Sequence, residues 1–462
     1  MMTIRKRGII LVGLIALYVA IMSLPTPDGL SFAGKSALAL MLCGTIGMTV
    51  EVMPVEMIGF LLVTLQAPLQ IATLNEAVAR FAQPVFFFSI CSFMVSVGFN
   101  STGLDKRIVY KLTQMTKADP KRLLFVFMMG SGLLSTVFAD LLVVIVLAPI
   151  ALQILKSNNC MPGSSNLGKC LMIGIPIAAL IGGSGTPLGS MMNILAQSMV
   201  SEFINVNITF LAWSVIGMPI VILTLPVAYK ILTLVYPIEI DRLQGMEKIY
   251  IGAEKLGKIT NKEKRFIFLF TVMVIGCSTE AIHGLNTSFI ASVVAALMLV
   301  TGVIDWDTCN KQVSWSMIIG LYGITSLGMS IYQTGASDWI ANGMASMIGG
   351  KPFMVVVVAL GLFTILVHLV VPVNQALITI LVPIAIGLAT VFDANPVFLA
   401  LVVAFCVHIG ILLPLDVVPL IVYPHGYYKM YEMFKPGLLI SVIWFLIVLV
   451  IVNITGPILG LG

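Results

Sequence analysis

The chain has 462 residues, 59% of them apolar and 10% charged, with mean hydropathy +1.08 and a formal charge of +5. Soluble domains run at roughly 45–50% apolar and 25% charged, so a soluble globular enzyme is excluded and most of the surface must face lipid or lipid-buried helices. The 40 Gly and 22 Pro suit interrupted membrane helices.

Arg5, Lys6 and Arg7 open the chain, and residues 8–24 run apolar to the turn Pro25-Thr26-Pro27-Asp28-Gly29. A secretory leader begins this way, but the run is long and has no clean small-x-small cleavage site, so it reads as an uncleaved first helix. Further spans of about 20 residues are expected near 33–49, 53–69, 82–98, 168–200, 207–229, 266–282, 286–304, 314–332, 396–422 and 437–458, which makes about 11 with the first. The fold class expected is therefore an all-α polytopic membrane protein. The 7 cysteines are scattered singly with no ligand-like spacing, so neither structural zinc nor a disulfide framework is expected.

Two apolar segments, 123–155 and 352–391, do not fit as simple spans. Lys121 and Arg122 precede the first and Lys156 follows it, so both ends want the same side. It has room for two limbs of about 15 residues, each reaching only about 22 Å. A re-entrant helical hairpin satisfies this, with Phe138-Ala139-Asp140 near its tip. The second segment breaks similarly at Val371-Pro372-Val373-Asn374.

With the N-terminus cytoplasmic, 22 of the 25 Lys and Arg fall on the cytoplasmic face, leaving Lys35, Arg80 and Lys351 outside. The C-terminus is then outside. The basic charge serves orientation and lipid contact, and no nucleic-acid partner is expected.

Two stretches read alike. Asn100-Ser101-Thr102-Gly103-Leu104-Asp105 and Gln333-Thr334-Gly335-Ala336-Ser337-Asp338 each follow a span, open an amphipathic helix and precede a hairpin. The hairpins end alike, at Leu-Ala-Pro149-Ile-Ala-Leu and Leu-Val-Pro383-Ile-Ala-Ile. An odd number of spans separates the copies, which implies inverted repeats of about 33–230 and 266–458, joined by a cytoplasmic connector at 231–263, within a single transporter domain 1–462. Inverted repeats with broken helices are the build of secondary transporters, whose solute site lies between the copies.

Non-helical backbone at membrane depth is tolerated only where it is buried or lines a water-filled cavity. Four such places stand out: the two tips, the glycine-rich run Ile181 to Asn193, and Leu413-Pro414-Leu415-Asp416-Val417-Val418-Pro419. Freed carbonyls there can coordinate Na⁺, and exposed N–H groups can hold a carboxylate. Asp140 and Asp416 are the intramembrane acids, each costing about 2.5–3.5 kcal/mol on insertion scales, so a cation, a proton or a partner is expected at each. His368 and His408 read as satisfied packing residues, and Glu51 and Glu56 as acids at a membrane edge.

At these breaks the sequence resembles the divalent-anion:sodium symporter family, transporters of dicarboxylates, citrate or sulfate, over nearly the whole chain. Gly185-Thr186-Pro187-Leu188-Gly189-Ser190-Met191-Met192-Asn193 looks like its first Pro-Pro-Asn region, with Met191 and Met192 in place of the prolines. Leu413 to Tyr423, with Gly426-Tyr427, looks like the second. The family's Ser-Asn-Thr tips fall on Ala139-Asp140-Leu141 and Val373-Asn374-Gln375, where only Asn374 is kept. The resemblance implies a substrate site of Asp140, Leu141, Ser190, Asn374, Gln375 and Val418, and ion sites drawn from Ser135, Ala139, Asp140, Gly189, Asn374 and Asp416. It implies no catalytic residues, no cofactor and no metal beyond Na⁺. It also implies a homodimer in the bacterial inner membrane that carries an anion by an elevator motion coupled to Na⁺ or H⁺. Asp at the first tip opposes an ordinary dianion, and Leu369 stands where a hydroxyl would serve the second Na⁺ site. A related permease for arsenite or for Na⁺/H⁺ exchange, a channel, and a membrane-embedded enzyme are the alternatives.

Overall fold

The computed structural model describes residues 3–50, 52–244, 257–348, 351–369 and 374–461, and every regular element among them is helical. Among the described residues, eight helical stretches are long and apolar enough to cross a membrane. The other apolar helices are 10–17 residues long, because polar or Gly/Pro-rich positions interrupt what hydropathy alone reads as continuous.

The first hairpin is Pro120–Ser135 and Asp140–Ser157, joined by irregular backbone at 136–139. Asp119 starts it by accepting from the Lys121 and Arg122 amides, with Pro120 in the first helical position. Its feet are tied to adjacent connector residues. The Leu243 amide donates to the Ala118 carbonyl at 2.8 Å, and the Gln244 amide donates to Asn158 Oδ1 at 2.7 Å. Limbs of 16 and 18 residues, about 24 and 27 Å long, therefore enter and return on one face. In the second hairpin, Phe353–Val367 and Asn374–Val391, the Phe353 and Phe392 rings lie 6.3 Å apart at the base. The tip residues Val371, Pro372 and Val373 lie outside the described residues, as does Glu51.

Helix Met430–Ile458 links the two hairpin bases. Near its start the Glu432 carbonyl accepts from the Tyr236 hydroxyl at 2.6 Å, and the Glu432 carboxylate pairs with Lys169 at 2.6 Å. Just past its end the Leu461 carbonyl accepts from Asn395 at 2.9 Å, three residues beyond Phe392. Its 29 residues, about 44 Å, put the two bases at opposite ends of the molecule. The amphipathic helices Leu104–Met115 and Ala336–Ile348 each follow a left-handed glycine, Gly103 (φ +82°) and Gly335 (φ +75°), a conformation in which a Cβ is strained.

The spans expected at 168–200 and 396–422 are each two half-helices. Asn166–Gly183 gives way to Met191–Ile204, and Pro396–Val407 to the short Val417–Val422. The span expected at 53–69 is also shorter, Val55–Thr64. Gly59 and Gly323 bring this helix to backbone contact with Trp315–Gln333, since a Cβ at Gly323 would sit 2.3 Å from the Gly59 Cα. Buried Gln66 then stops it. Its side chain donates to the Leu62 carbonyl at 2.9 Å and to Ser326 at 3.1 Å, and accepts from Ser330 at 2.5 Å. Arg80 also donates to Ser330, at 2.6 Å. The seven cysteines are all buried and free.

Candidate functional site

The first hairpin tip lies against the first helix break. A Cβ built on Gly182 would fall 1.9 Å from the Gly132 carbonyl oxygen, and one on Gly189 would fall 2.4 Å from the Ser135 carbonyl. Only glycine permits that approach. Thr186 donates from the break to the Thr136 carbonyl in the tip. Asn193 spans the break, donating to the Gly183 carbonyl at 2.7 Å and the Thr186 carbonyl at 2.6 Å, while Trp213 donates to the Ser184 carbonyl at 3.0 Å. Freed carbonyls are thus held by side chains from beyond the break, which is how unwound backbone survives at this depth. Asp140 opens the return limb. Its carboxylate accepts from its neighbour's amide, Leu141 N, at 2.7 Å and lies beside Gly183, where a Cβ would be 3.2 Å from Oδ2. The buried Ser135 hydroxyl has no hydrogen-bond partner among the described residues.

Asn374, at the start of the second return limb, is bonded to the second break. Asn374 Nδ2 donates to Asp416 Oδ2 at 2.8 Å, and Asp416 Oδ1 caps helix Val417–Val422 by accepting from Val418 N at 2.8 Å. Asp416 therefore has the structural partner its depth demands. Asn374 Oδ1 stays buried and unpartnered among the described residues. His368 and His408 follow the ends of helices Phe353–Val367 and Pro396–Val407, and both are buried; His368 hydrogen-bonds the Val407 backbone as a packing residue would, while Nε2 of each is unpartnered among the described residues.

The first tip, both helix breaks and the start of the second return limb at Asn374 converge on one cavity of about 460 Å³. Ala139, Asp140, Leu141, Gly189, Ser190, Asn374, Asp416 and Val418 all line it. Ser135 lies just behind, against Gly189. Gln375 belongs to the helix of the second limb, but its side chain lies outside the described residues. Sequence reasoning missed Glu56, Ser92, Ser96 and Ser316, which line the cavity from helices it treated as plain spans. It also missed Thr186 and Trp213 as the clamps of the first break. Glu56, expected to be an edge acid, thus joins Asp140 and Asp416, and no Lys or Arg is among the described lining residues. Carboxylates without a basic counterpart, beside freed carbonyls, can hold cations.

The transmembrane region of sodium:sulfate symporters matches the chain over residues 5–461. The chain belongs to the sodium:sulfate symporter family. As a divergent member of the divalent-anion:sodium symporter group, it is a membrane transport protein and not an enzyme. A sodium-dependent dicarboxylate transporter, SdcS, of Staphylococcus saprophyticus is 24% identical over 98% of this chain and 92% of its own length. The protein of the same name from Staphylococcus aureus (strain USA300) is 23% identical over 94% and 88%. Two solved transporters share the fold: MtrF of Neisseria gonorrhoeae, with TM-score 0.56, 15% identity and 96% and 94% coverage, and YdaH of Alcanivorax borkumensis, with TM-score 0.54, 16% identity and 83% and 87% coverage.

Proposed function

We propose that this protein is a secondary active symporter that carries a small carboxylate-type anion with Na⁺. One observation carries the reading: the first hairpin tip, both helix breaks and Asn374 at the start of the second return limb face a single cavity of about 460 Å³, a volume suited to a small organic solute. The two halves, about 33–230 and 266–458, are inverted repeats joined by the 231–263 connector. The placement of the hairpin bases at opposite ends of helix Met430–Ile458 supports that inversion. Asp140, Ala139, Gly189 and Ser135 form a cation site, and the carbonyl and carboxylate oxygens gathered around Gly183 and Gly189 support it. The substrate lies between Asp140-Leu141 and Ser190 on one side and Asn374-Gln375 and Val418 on the other, with Asn374 and Asp416 serving a second cation. Three lining carboxylates and no lining cation among the described residues favour a monoanion over a dianion, because Na⁺ must first offset the charge a carboxylate meets. The SdcS relatives support Na⁺ as the coupling ion and the plasma membrane as the location. The hairpin-bearing module moves as an elevator against a scaffold, in a homodimer with the N-terminus cytoplasmic and the C-terminus outside.

The test is uptake into proteoliposomes of labelled mono- and dicarboxylates under an inward Na⁺ gradient, with a pH gradient alone as the comparison. Concentrative uptake of a carboxylate under the Na⁺ gradient is expected. No accumulation of any member of the panel under either gradient would refute the assignment.

A further inference from the structure

A second, polar cavity of about 360 Å³ lies next to the central one, lined among others by Gln83, Gln197, Ser198, Glu202, Glu280 and Asn286. The chain path places the two at opposite faces. Helix Phe210–Val235 ends at the connector and Asn261–Ser278 leaves it, so Asn207, Glu280 and Asn286 lie at the far ends of these helices, away from the connector. The chain returns along Thr287–Val300 to start Trp315–Gln333 on the connector side, where Ser316 and Met317 line the central cavity. The polar cavity thus opens on one face and the central cavity toward the other.

Ile194 lines both. On either side of it the lining changes hands within one turn of the same element: Phe88 to Ser92 along one helix, and Pro187 to Leu188 in the break. Ile194 sits one turn into helix Met191–Ile204, and Gln197, Ser198 and Ser201 continue its face toward the polar cavity at helical spacing. The Gln197 amide nitrogen there is buried without a partner among the described residues. The lining carboxylates are Glu202 and Glu280 on one side and Glu56, Asp140 and Asp416 on the other, with no Lys or Arg among the described lining of either cavity. Arg80 lies near Glu202, outside this lining, and donates to the neutral Ser330 and Gln333 side chains, so it offsets part of the Glu202 charge and leaves Glu280 without a nearby cation among the lining residues.

We propose that Ile194, with Phe88 and Leu188 beside it, is the plug of a cation path: a single apolar side-chain layer separating an acidic vestibule from the solute cavity. The vestibule collects hydrated monovalent cations, since walls of one sign raise the local counter-ion concentration, and the plug keeps them from crossing uncoupled. The assignment of the central cavity as the solute site comes from the proposed function. The plug itself does not require that any particular solute be carried.

The test is ²²Na⁺ entry into proteoliposomes under an imposed membrane potential with no organic solute present. Ile194→Gly is expected to raise this leak at least tenfold over the unsubstituted protein, with no matching Cl⁻ leak. Ile194→Phe should keep it at the background level. Ser198→Cys in the vestibule and Thr49→Cys, at a residue that lines the central cavity, give a second readout that does not depend on the glycine variant folding. A membrane-impermeant thiol reagent should reach the thiol introduced at position 198 only from the vestibule face and the one introduced at position 49 only from the connector face, against native cysteines that are all buried. An Ile194→Gly protein that is monodisperse yet no leakier than the unsubstituted chain would overturn the plug, as would labelling of the Ser198→Cys variant from the connector face. Failure to find a carried anion, with leak and labelling as expected, would sink the substrate assignment and leave the plug standing.

Discussion

Gly182→Ala probes the contact on which the first half of the site depends. Its Cβ would lie 1.9 Å from the Gly132 carbonyl oxygen and 2.6 Å from the Gly132 carbonyl carbon, whereas ordinary contact begins at 3.4 Å. The deficit at the oxygen is 3.4 minus 1.9, or 1.5 Å, and the obstacle is backbone, which cannot rotate away as a flexible side chain would. Helix Asn166–Gly183 and limb Pro120–Ser135 must therefore separate. Overpacking of this kind costs about 1–3 kcal/mol, and separation also pulls the Thr186 hydroxyl off the Thr136 carbonyl and loosens the tip that carries Asp140. The expected result is a lowered melting temperature of the detergent-purified protein together with at least tenfold slower uptake. Gly13→Ala is the control, because nothing lies within 4 Å of its Cβ. If Gly182→Ala melts and transports like Gly13→Ala, the close packing of tip on break is not what positions the site.

Asp140→Asn should alter the Na⁺ or pH dependence of uptake, and unchanged dependence at full activity would remove Asp140 from coupling. Asp416→Ala loses both the Asn374 bond and the cap on Val417–Val422, a stability loss of about 1 kcal/mol for the cap. Asp416→Asn retains a capping oxygen and should melt closer to the unsubstituted protein while still transporting poorly, and equal melting of the two variants would count against the cap. Lys169→Ala leaves Glu432 half-buried without its 2.6 Å partner and should lower the melting temperature. The double variant Lys169→Ala, Glu432→Ala should recover part of that loss, because the cost lies in the orphaned charge, and a double variant no better than Lys169→Ala would refute this.

The first hairpin was legible because short limbs with basic feet on both sides leave no other solution, and the connector bonds to Ala118 and Asn158 show it closing on itself; the second was legible from its break before Asn374 and its likeness to the first. Asp140 and Asp416 stood out because charge is scarce in an apolar chain. Glu56 did not, because one acid beside Pro54 looks the same whether it faces bulk water or a cavity lined from several other helices. Helix 55–64 was overextended for a related reason: hydropathy counts Gln66 as one polar residue among many apolar ones, and its partners Ser326 and Ser330 lie 260 and 264 positions away. The clamps on the first break were hidden in the same way. Trp213 reads as core until the Ser184 carbonyl is found under its indole nitrogen at 3.0 Å.

The meeting of Gly59 with Gly323 has a mechanical consequence. Where two helices touch main chain to main chain, there is no layer of rotatable side chains to act as a bearing, and sliding one past the other would drive carbonyls into Cα atoms. Helices Val55–Thr64 and Trp315–Gln333 therefore behave as one welded strut, and any stroke during transport has to be taken up at the softer seams around it.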